Sequence, residues 1–272
     1  MSSIRPDTRS KITAPSVLAS KGQAKTTALT AYDCPTARLV DGARIDIVLV
    51  GDSLGPTVLG LESTLPVTLH QMIAAARAVS RGVTRALVVG DLPFGSYHES
   101  ARQAVRSSVR FVQEGGVESV KMEGGRERTA AIAAVVEAGI PVMGHIGLRP
   151  QAVHQMGGFR VQGKTSEQAE RLFEDAQAVA EAGAFSLVVE GVPAEVGAEI
   201  TRRVPIPTIG IGAGPDCDGQ ILVFSDLVGL TAGHVPRFVR RYCNLSAIVS
   251  EALAAYRQDI LDGRFPSEQE SY

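Results

Sequence analysis

The sequence predicts an α/β fold, a closed parallel (β/α)8 barrel. Short apolar runs recur along the chain with helical patterns between them, as expected of strands that are buried on both faces. Eight such strand–helix units fit within 272 residues, which is about the usual length of a barrel of this kind. A doubly wound open sheet is the main alternative, because an alternation of strands and helices does not show whether a sheet closes on itself.

Each strand is predicted from an apolar run that ends at Gly or at a polar residue. The eight predicted strands lie at 27–31, 46–51, 86–90, 119–122, 142–146, 186–190, 208–211 and 227–230. The clearest helix spans 166–183, because Thr165 and Gln168 have the spacing of a capping box and the apolar residues that follow lie on one helical face. Further helices are predicted at 68–81, 100–114 and 244–262.

One domain is predicted for residues 1–272, because nothing between residues 27 and 262 has the composition of a linker. Residues 1–26 are mildly basic and predict a flexible N-terminal arm or a short leading helix. A C-terminal helix and tail are expected to follow the barrel. The long connection 147–165 contains four glycines and is predicted to be a loop over the barrel mouth, where long loops are often functional lids.

Composition and charge exclude several classes of partner. The net charge is −2 and no strongly basic block occurs, so we expect neither nucleic acid nor an anionic membrane as a partner. The three cysteines, Cys34, Cys217 and Cys243, are odd in number and lack metal-binding spacing, which indicates a reduced, cytoplasmic protein. No apolar run is long enough to span a membrane, and residues 1–26 lack the apolar segment of a secretory signal.

Three successive predicted strands end at an acidic residue, Asp52, Asp91 or Glu123. Because the carboxyl ends of parallel strands meet at the same end of a barrel, we expect these carboxylates to converge there. Carboxylates so close to one another repel, and one of them would take up a proton unless a cation held them together. Oxygen ligands without Cys or His spacing favour Mg²⁺ over zinc. The sequence therefore predicts a metal-assisted active site.

Other polar residues at predicted strand ends have structural as well as functional explanations. They are Tyr32, Asp33, Ser53, Lys121, His145 and Glu190. An Asp in such a position commonly caps the next helix, and a lone His is more often a core residue. Glu190 is harder to explain in this way, because a carboxylate at the inner end of an apolar strand is costly unless it is paired or used. Independent caps would not be expected at so many strand ends, so we assign the set to one site.

A Gly-rich segment at 209–214 resembles a phosphate-binding loop that follows a barrel strand, and also a loose G-x-G fingerprint of dinucleotide binding. The dinucleotide interpretation is weak, because the segment lies late in the chain and no helix with the required opening follows at once. We favour the simpler interpretation, in which the glycines let the backbone approach a ligand or a neighbouring loop.

The predicted site suits the deprotonation of a 2-oxo acid. A divalent cation held by the three carboxylates, by Glu123 directly or through water, would keep open positions for a chelating substrate. It would withdraw electrons from the ketone and stabilise the enolate that forms when the adjacent C–H loses its proton. Lys121 and Ser53 would orient the substrate carboxylate, and Glu190 would act as the base.

Motifs along most of the chain are shared with one known family. They are Gly51-Asp52-Ser53-Leu54-Gly55, Ser63-Thr64-Leu65-Pro66-Val67-Thr68, Asp91-Leu92-Pro93-Phe94, Val120-Lys121-Met122-Glu123-Gly124-Gly125, Gly144-His145-Ile146-Gly147-Leu148, Gln162-Gly163, Glu190-Gly191-Val192-Pro193, Gly210-Ile211-Gly212-Ala213-Gly214 and Cys217-Asp218-Gly219-Gln220. In order and spacing they resemble ketopantoate hydroxymethyltransferase from about residue 12 to the C-terminus. No single motif suffices, but together they are very specific.

The resemblance implies a (β/α)8 barrel that transfers a hydroxymethyl group from 5,10-methylenetetrahydrofolate to 3-methyl-2-oxobutanoate. The product, 2-dehydropantoate, leads to pantothenate and coenzyme A. The family's site residues map onto this sequence as ligands of one Mg²⁺ per subunit (Asp52, Asp91, Glu123), oxo-acid contacts (Asp52, Ser53, Asp91, Lys121, His145) and a proton acceptor (Glu190). The resemblance also implies a homo-oligomer, commonly a homodecamer built as a pentamer of dimers.

Two departures from the family lie outside these site positions. Glu270 stands where the C-terminal segment of the family usually has His, which puts any role of that tail in doubt. Arg149 replaces a usually small polar residue near the predicted lid, where it would alter folate contacts.

Three other functions are compatible with the same residues. A related metal-dependent barrel of the phosphoenolpyruvate mutase and isocitrate lyase type would break a C–C or P–C bond, typically with a reactive Cys in a mobile loop, and no such motif occurs here. A Schiff-base aldolase using Lys121 would need no metal. A catalytically silent barrel would bind only a metabolite or partner, although converging ionisable residues are costly to hold together without a use.

Overall fold

The sheet of this protein closes into a barrel in the computed structural model, which describes residues 10–231, 233 and 235–272. In this part of the chain eight parallel strands pair with their sequence neighbours, and the last pairs with the first. The closed sheet, with helices between its strands, confirms the predicted (β/α)8 barrel and excludes the doubly wound open sheet.

The strands are short and the helices vary in length. The strands are β1 (Thr26–Thr30), β2 (Ile47–Val50), β3 (Leu87–Asp91), β4 (Ser119–Glu123), β5 (Val142–Gly147), β6 (Ser186–Glu190), β7 (Thr208–Ile211) and β8 (Gly219–Leu222). The α-helices are α1 (Ala14–Leu18), α2 (Cys34–Gly42), α3 (Leu54–Val58), α4 (Leu69–Ser80), α5 (Ala101–Arg110), α6 (Thr129–Glu137), α7 (Val153–Met156), α8 (Ser166–Glu181), α9 (Ala194–Arg203), α10 (Phe224–Leu227) and α11 (Leu245–Leu261). Single turns of 3-10 helix occur at Arg126–Arg128, Pro150–Ala152 and Glu268–Glu270.

The predicted strand at 227–230 is wrong. The eighth strand is β8, whose sequence Gly-Gln-Ile-Leu is not a continuous apolar run. Its polar residue Gln220 is exposed, and Gln220 Nε2 donates to the Gly214 carbonyl at 2.9 Å. The apolar residues at 227–230 instead end α10 and form a turn, in which the Leu230 N–H donates to the Ser225 carbonyl at 2.8 Å. The seven other strands were predicted within one residue or so of their bounds.

The predicted helices form where their capping signals lie. Thr68 and Gln71 make a complete capping box at the start of α4. Thr165 Oγ1 accepts from the Gln168 N–H at 3.2 Å at the start of α8, whereas Gln168 Oε1 accepts from the N–H of Lys164 and so lies one residue outside the expected box. The predicted helix 100–114 is α5 continued by a π-helical turn, Phe111–Gly115.

The amino end of the barrel is covered by α1. Ala14 and Val17 on this helix are buried in the same apolar cluster as Ile47, Leu87 and Phe185, which lie at or near the starts of their strands. Of the two alternatives for residues 1–26, the described part contains a short helix, and residues 1–9 lie outside the described residues. The apolar cluster stabilises the end of the barrel opposite the predicted site.

The chain divides into two compact units, Met1–Val223 and Phe224–Tyr272. The barrel is the first unit, and α10 and α11 belong to the second. In the second unit Glu270 closes a local capping box, because its carboxylate accepts from the N–H of Ser267 at 2.8 Å. The single domain expected for 1–272 stays a prediction. None of the helices in the described ranges combines the length and apolarity needed to cross a bilayer.

Candidate active site

The predicted site residues lie together at the carboxyl ends of the strands. A cavity of about 110 Å³ is lined by Asp52, Ser53, Asp91, Lys121, Glu123, His145 and Glu190. The parallel register sets two pairs side by side on adjacent strands, Asp91 with Lys121 and Glu123 with His145. The expected convergence of the strand-end residues is therefore observed.

Lys121 is a buried cation of this cavity. Its Nζ donates to Asp91 Oδ1 at 2.6 Å and lies 3.6 Å from Glu123 Oε1. Burial alone would lower the pKa of Lys121, but the carboxylates of Asp91, Glu123 and Asp52 outweigh burial and raise that pKa above its ordinary value. Lys121 therefore keeps its proton and its charge at neutral pH.

Asp52 and Asp91 are adjacent buried carboxylates. The backbone N–H of Asp52 donates to Asp91 Oδ2 at 3.2 Å. Burial raises the pKa of Asp52 well above its usual range, and repulsion from Asp91 and Glu123 raises it further. Burial also raises the pKa of Asp91, although Lys121 opposes the change. Lys121 alone therefore does not balance these carboxylates, and further positive charge would be stabilised beside them.

His145 lies between two carboxylates. Its Nδ1 is 3.4 Å from Glu123 Oε1 and its Nε2 is 3.2 Å from Glu190 Oε2. Burial and Lys121 lower the pKa of His145, but the carboxylates of Glu123 and Glu190 outweigh them and raise it to about 9. Burial opposes the ionisation of Glu123, but Lys121 and His145 prevail and lower its pKa to about 2. His145 is therefore charged at neutral pH and links Glu123 to Glu190.

Several buried polar atoms in the cavity have no hydrogen-bond partner among the described residues. They are Glu123 Oε1, His145 Nδ1, His145 Nε2 and Thr64 Oγ1. The two His145 contacts are short enough for hydrogen bonds but lack the required alignment. Because buried polar groups in folded proteins are nearly always paired, these atoms indicate a place for water or a ligand.

The donor set fits one Mg²⁺ ion that is held by two carboxylates. Within residues 10–231, 233 and 235–272, no three His, Cys, Asp or Glu side chains are grouped so that all of them could hold one metal ion. Mg²⁺ commonly takes one or two protein carboxylates and completes its shell with water and substrate oxygens. Asp52 and Asp91 supply such a pair. The unpartnered Glu123 Oε1 suits the contact through water better than direct ligation.

Sequence reasoning missed Gln151, which lies in the connection 147–165 and is buried in the site. Its Nε2 donates to Asp52 Oδ2 at 2.9 Å and its backbone N–H donates to Glu123 Oε2 at 3.1 Å. The hydroxyl of Tyr97 donates to Gln151 Oε1 at 2.7 Å. The only signal in the sequence was that this long connection would lie over the mouth. Gln151 thus fixes the connection to carboxylates from two different strands.

Other residues near the mouth are explained by local structure. Asp33 caps α2, because its Oδ1 accepts from the Thr36 N–H at 2.8 Å. In the Gly-rich segment a Cβ added to Gly214 would lie only 2.6 Å from the Ala194 Cβ. This close approach confirms the simpler interpretation of the glycines.

The small cavity has a polar side and an apolar side. On the polar side, Ser53 Oγ shares a hydrogen bond of 2.7 Å with the Tyr32 hydroxyl. The apolar lining is formed by Leu49, Val188, Ile211, Ile221, Leu222 and Val223. The cavity therefore suits a small molecule with an anionic head and a short apolar side chain.

Solved structures show how widely this fold is shared. A 2,3-dimethylmalate lyase, a member of the PEP mutase/isocitrate lyase superfamily, superposes with a TM-score of 0.60 at 18% sequence identity, over 95% of this chain and 91% of that chain. At this identity the likeness concerns the barrel alone.

The sequence matches known relatives over almost its whole length. The family model described as ketopantoate hydroxymethyltransferase matches residues 11–268. The 3-methyl-2-oxobutanoate hydroxymethyltransferase of Koribacter versatilis is 52% identical over 273 residues, which cover 100% of this chain and 92% of that protein. The protein of the same name from Thermoanaerobacter sp. (strain X514) is 52% identical over 248 residues, 91% of this chain and 90% of that protein. This chain therefore belongs to the ketopantoate hydroxymethyltransferase family.

Proposed function

We propose that this protein transfers a hydroxymethyl group from 5,10-methylenetetrahydrofolate to 3-methyl-2-oxobutanoate, giving 2-dehydropantoate for pantothenate biosynthesis. Membership of the family supports a hydroxymethyltransferase that acts on a small oxo acid. The observation that carries the proposal is the convergence of Asp52, Asp91, Lys121 and Glu190 on one small cavity.

The polar side of the cavity would bind the head of the oxo acid. Asp52 and Asp91, with Glu123 through water, would hold one Mg²⁺ per subunit, which when bound draws electrons from the ketone and stabilises the enolate. Lys121 and Ser53 would donate hydrogen bonds to the substrate carboxylate. The retained proton on Lys121 supports this role, because only the ammonium form attracts an anion.

Glu190 is the proposed proton acceptor. It lines the small cavity with its side chain 16% exposed, and it faces the Nε2 of charged His145 at 3.2 Å. As a carboxylate it would take the proton from C3 of the oxo acid. Water would hydrolyse the methylene bridge of the donor, so that both C–N bonds break, the two nitrogens of the released tetrahydrofolate take up the two protons, and the carbon is delivered at the level of formaldehyde. The enolate carbon would then bond to this carbon, and its oxygen, which comes from water, would take up the proton held by Glu190 to give the hydroxymethyl group. His145 would stabilise the negative charge of Glu190 before the proton is transferred.

The apolar side of the cavity would select the branched side chain of the substrate. Val188, Ile211 and Ile221 lie on β6, β7 and β8 and line the wall that the carboxylates leave free. An isopropyl group placed there would remove apolar surface from water on both sides. Each added or missing methylene in such a pocket changes kcat/KM by about 10 to 200-fold.

The alternatives are less well supported by the geometry. A Schiff-base aldolase would need a neutral amine on Lys121, but its pKa is raised by three carboxylates. Lyases and mutases of the rival type have the same fold as this chain. The family model and the 52% sequence identity to a named hydroxymethyltransferase support the transferase instead. A silent barrel that binds a metabolite would also account for the unpartnered polar atoms in the cavity, but the 52% identity to a named hydroxymethyltransferase supports the enzyme instead.

We also propose a cytoplasmic homo-oligomer, a homodecamer built as a pentamer of dimers, with no nucleic acid or membrane partner. The assembly follows from the resemblance to the family. Cys34, Cys217 and Cys243 are all free thiols, which is compatible with a reducing compartment.

Proton exchange in D₂O tests the proposed function directly. The protein is incubated with 3-methyl-2-oxobutanoate and Mg²⁺, then with excess EDTA, and the C3 proton is followed by NMR. Metal-dependent exchange without folate is expected, because enolisation needs no one-carbon donor. Adding 5,10-methylenetetrahydrofolate should then give 2-dehydropantoate. Absence of both exchange and product, with a tetrahydrofolate present, would overturn the proposal and favour the lyase or the silent barrel.

A further inference from the structure

A second, larger cavity lies beside the small one at the barrel mouth. Its volume is about 890 Å³, which is sufficient for a ligand much larger than an oxo acid. Glu123 lines both cavities, and Gln151 lines the larger one while its Nε2 donates to Asp52 in the smaller one. The two cavities therefore meet at Glu123 and Gln151.

One side of the larger cavity is aromatic. Phe94 is 46% exposed, and its ring meets the ring of His98 edge to face with 4.9 Å between centroids. The ring of His98 in turn lies 4.1 Å from that of Tyr97. Burial and the nearby Arg128 lower the pKa of His98, so the imidazole is neutral at neutral pH. Tyr97 is only 1% exposed and packs against His98, so the exposed ring of Phe94 and the half-buried ring of His98 form the platform on which a flat heterocycle or benzene ring could stack.

The other side of the cavity is rich in arginine, but most of these side chains are already paired. Arg126 contacts Glu174 and Asp175, Arg149 contacts Glu127, and Arg171 contacts Glu167. The departure at Arg149 is thus accounted for by an ion pair at the edge of this cavity.

Arg128 is the exception. Among the residues that the structure describes, no carboxylate lies within salt-bridge distance of its guanidinium, which instead stands over the ring of Tyr97 at 5.8 Å from the centroid. It is half-buried. A guanidinium held in this way beside an aromatic platform has its donors free for a carboxylate of a ligand.

We propose that this larger cavity binds the folate donor, with an aromatic part of the molecule on the platform of Phe94 and His98 and a glutamate carboxylate on Arg128. The inference rests on the proposed function, because it assigns a place to the donor of that reaction. The chemistry is that of a flat ring system joined to one or more carboxylates. The methylene carbon would then approach the oxo acid from the side of Gln151 and Glu123.

Arg128→Gln tests this assignment by removing the charge while keeping a polar side chain of moderate length. The probes are 5-formyltetrahydrofolate with one or three glutamates, and 6-methyltetrahydropterin, which lacks the benzoylglutamate. Calorimetry should show about tenfold or greater weakening for the glutamylated folates, as expected for the loss of a charged hydrogen bond. Binding of the pterin should change much less. Arg128→Lys, which retains the charge, should recover part of the loss.

Arg102→Gln is the matched control, because Arg102 is an exposed arginine on α5 outside this cavity. It should bind both folates as the wild type does. Folate binding that is equally strong in Arg128→Gln, or equal weakening of folate and pterin, would overturn the inference. Deuterium exchange of the oxo acid needs no donor, so it separates the two proposals. If the oxo acid exchanges its proton but folate binds independently of Arg128, this inference is refuted. If folate binding depends on Arg128 but neither exchange nor product is seen, only the proposed function is refuted.

Discussion

The strand β2 has an aspartate at each end, and the two side chains have opposite environments. Asp46 precedes the strand, and its carboxylate accepts from the Thr27 N–H at 3.0 Å and from Arg85 Nη2 at 2.8 Å. Burial opposes the ionisation of Asp46, but Arg85 and Thr27 outweigh it and hold its pKa below the usual value. Asp52 follows the strand, and burial and neighbouring carboxylates hold its pKa well above that value.

The contrast shows how the barrel divides stability from function. At the amino end Asp46 is paired with Arg85 and Lys11 with Glu118, and α1 covers the apolar core. At the carboxyl end one ammonium group and one imidazolium face four carboxylates, and several polar atoms remain unpartnered. Such an arrangement is costly for the free protein. A bound cation and substrate would remove that cost, so the same groups that destabilise this end would favour binding.

The largest effect is expected from Asp91→Asn, which removes one of the two candidate metal ligands and the partner of Lys121. Mg²⁺-dependent deuterium exchange of the oxo acid should fall by at least roughly 10³-fold, because charge stabilisation by a metal is worth several kcal/mol. The thermal stabilisation by Mg²⁺ with oxo acid should also disappear. Asp33→Asn is the control, because it removes a charge near the same end but keeps a good helix cap. Normal exchange in Asp91→Asn would contradict the proposed metal site.

Glu190→Gln should separate proton transfer from binding. We expect exchange and product formation to fall by about 10²–10⁴-fold, the usual contribution of a general base. Binding of Mg²⁺ with the oxo acid, measured by calorimetry, should change little because Glu190 is not a proposed ligand of either. Glu195→Gln, which alters an exposed carboxylate on α9, should behave as the wild type. If Glu190→Gln turns over normally, another group is the base.

Gln151→Ala should have an intermediate effect on the exchange rate of the oxo acid at the carboxyl end of the barrel. The substitution removes the amide that donates to Asp52 and leaves Tyr97 without its acceptor on that side chain. Unmade buried hydrogen bonds cost about 1–3 kcal/mol each, so we expect a lower thermal midpoint and roughly tenfold slower exchange. Gln151→Glu should be worse, because it adds a negative charge to a group of carboxylates that already repel one another.

The pH dependence distinguishes a positional role of Gln151 from a loss of folding alone. A destabilised but correctly arranged site would keep the pH profile of exchange at temperatures well below its midpoint. If Gln151 fixes the position of Asp52, the pH profile of oxo-acid exchange should shift in both Gln151→Ala and Gln151→Glu. An unchanged profile together with an unchanged rate would show that this residue is not part of the site.

The fold was largely predictable because its strands are buried on both faces and appear as short apolar runs. β6 and β7 have the bounds expected from sequence alone. β8 was missed because its polar residue, Gln220, is satisfied by a contact with Gly214 rather than by the strand itself. No local pattern indicates that a Gln will be paired in this way.

The site was predictable to the extent that strand ends determine it. Asp33 and Asp52 both follow apolar strands, yet one caps a helix and the other lies in the cavity. Local sequence does not separate these two cases, and only the set of strand-end residues indicated a site. Gln151 was beyond reach because its partners Asp52 and Tyr97 are distant in sequence and meet it only when the connection folds over the mouth.

The smallest effect is expected from Asp46→Asn at the amino end. Because the folded pKa of Asp46 is lowered, its stabilisation is fully present above the unfolded value of about 3.9 and is lost as the pH falls through the folded value. The variant should therefore melt about 2–4 °C below the wild type at pH 7. The difference in melting temperature should shrink as the pH approaches 3. Deuterium exchange of the oxo acid at pH 7 should be unaffected.

Asp216→Asn removes the same charge from an exposed position in the barrel unit and is the control for net charge. It should leave the midpoint within error of the wild type. A loss of exchange in Asp46→Asn, measured well below its midpoint, would show that the two ends of β2 are coupled. Equal melting of both variants at pH 7 would show instead that the contacts of Asp46 with Thr27 and Arg85 contribute nothing to stability. The expected result, a pH-dependent loss of stability without loss of exchange, would place the stabilising charges of β2 at one end and the reactive ones at the other.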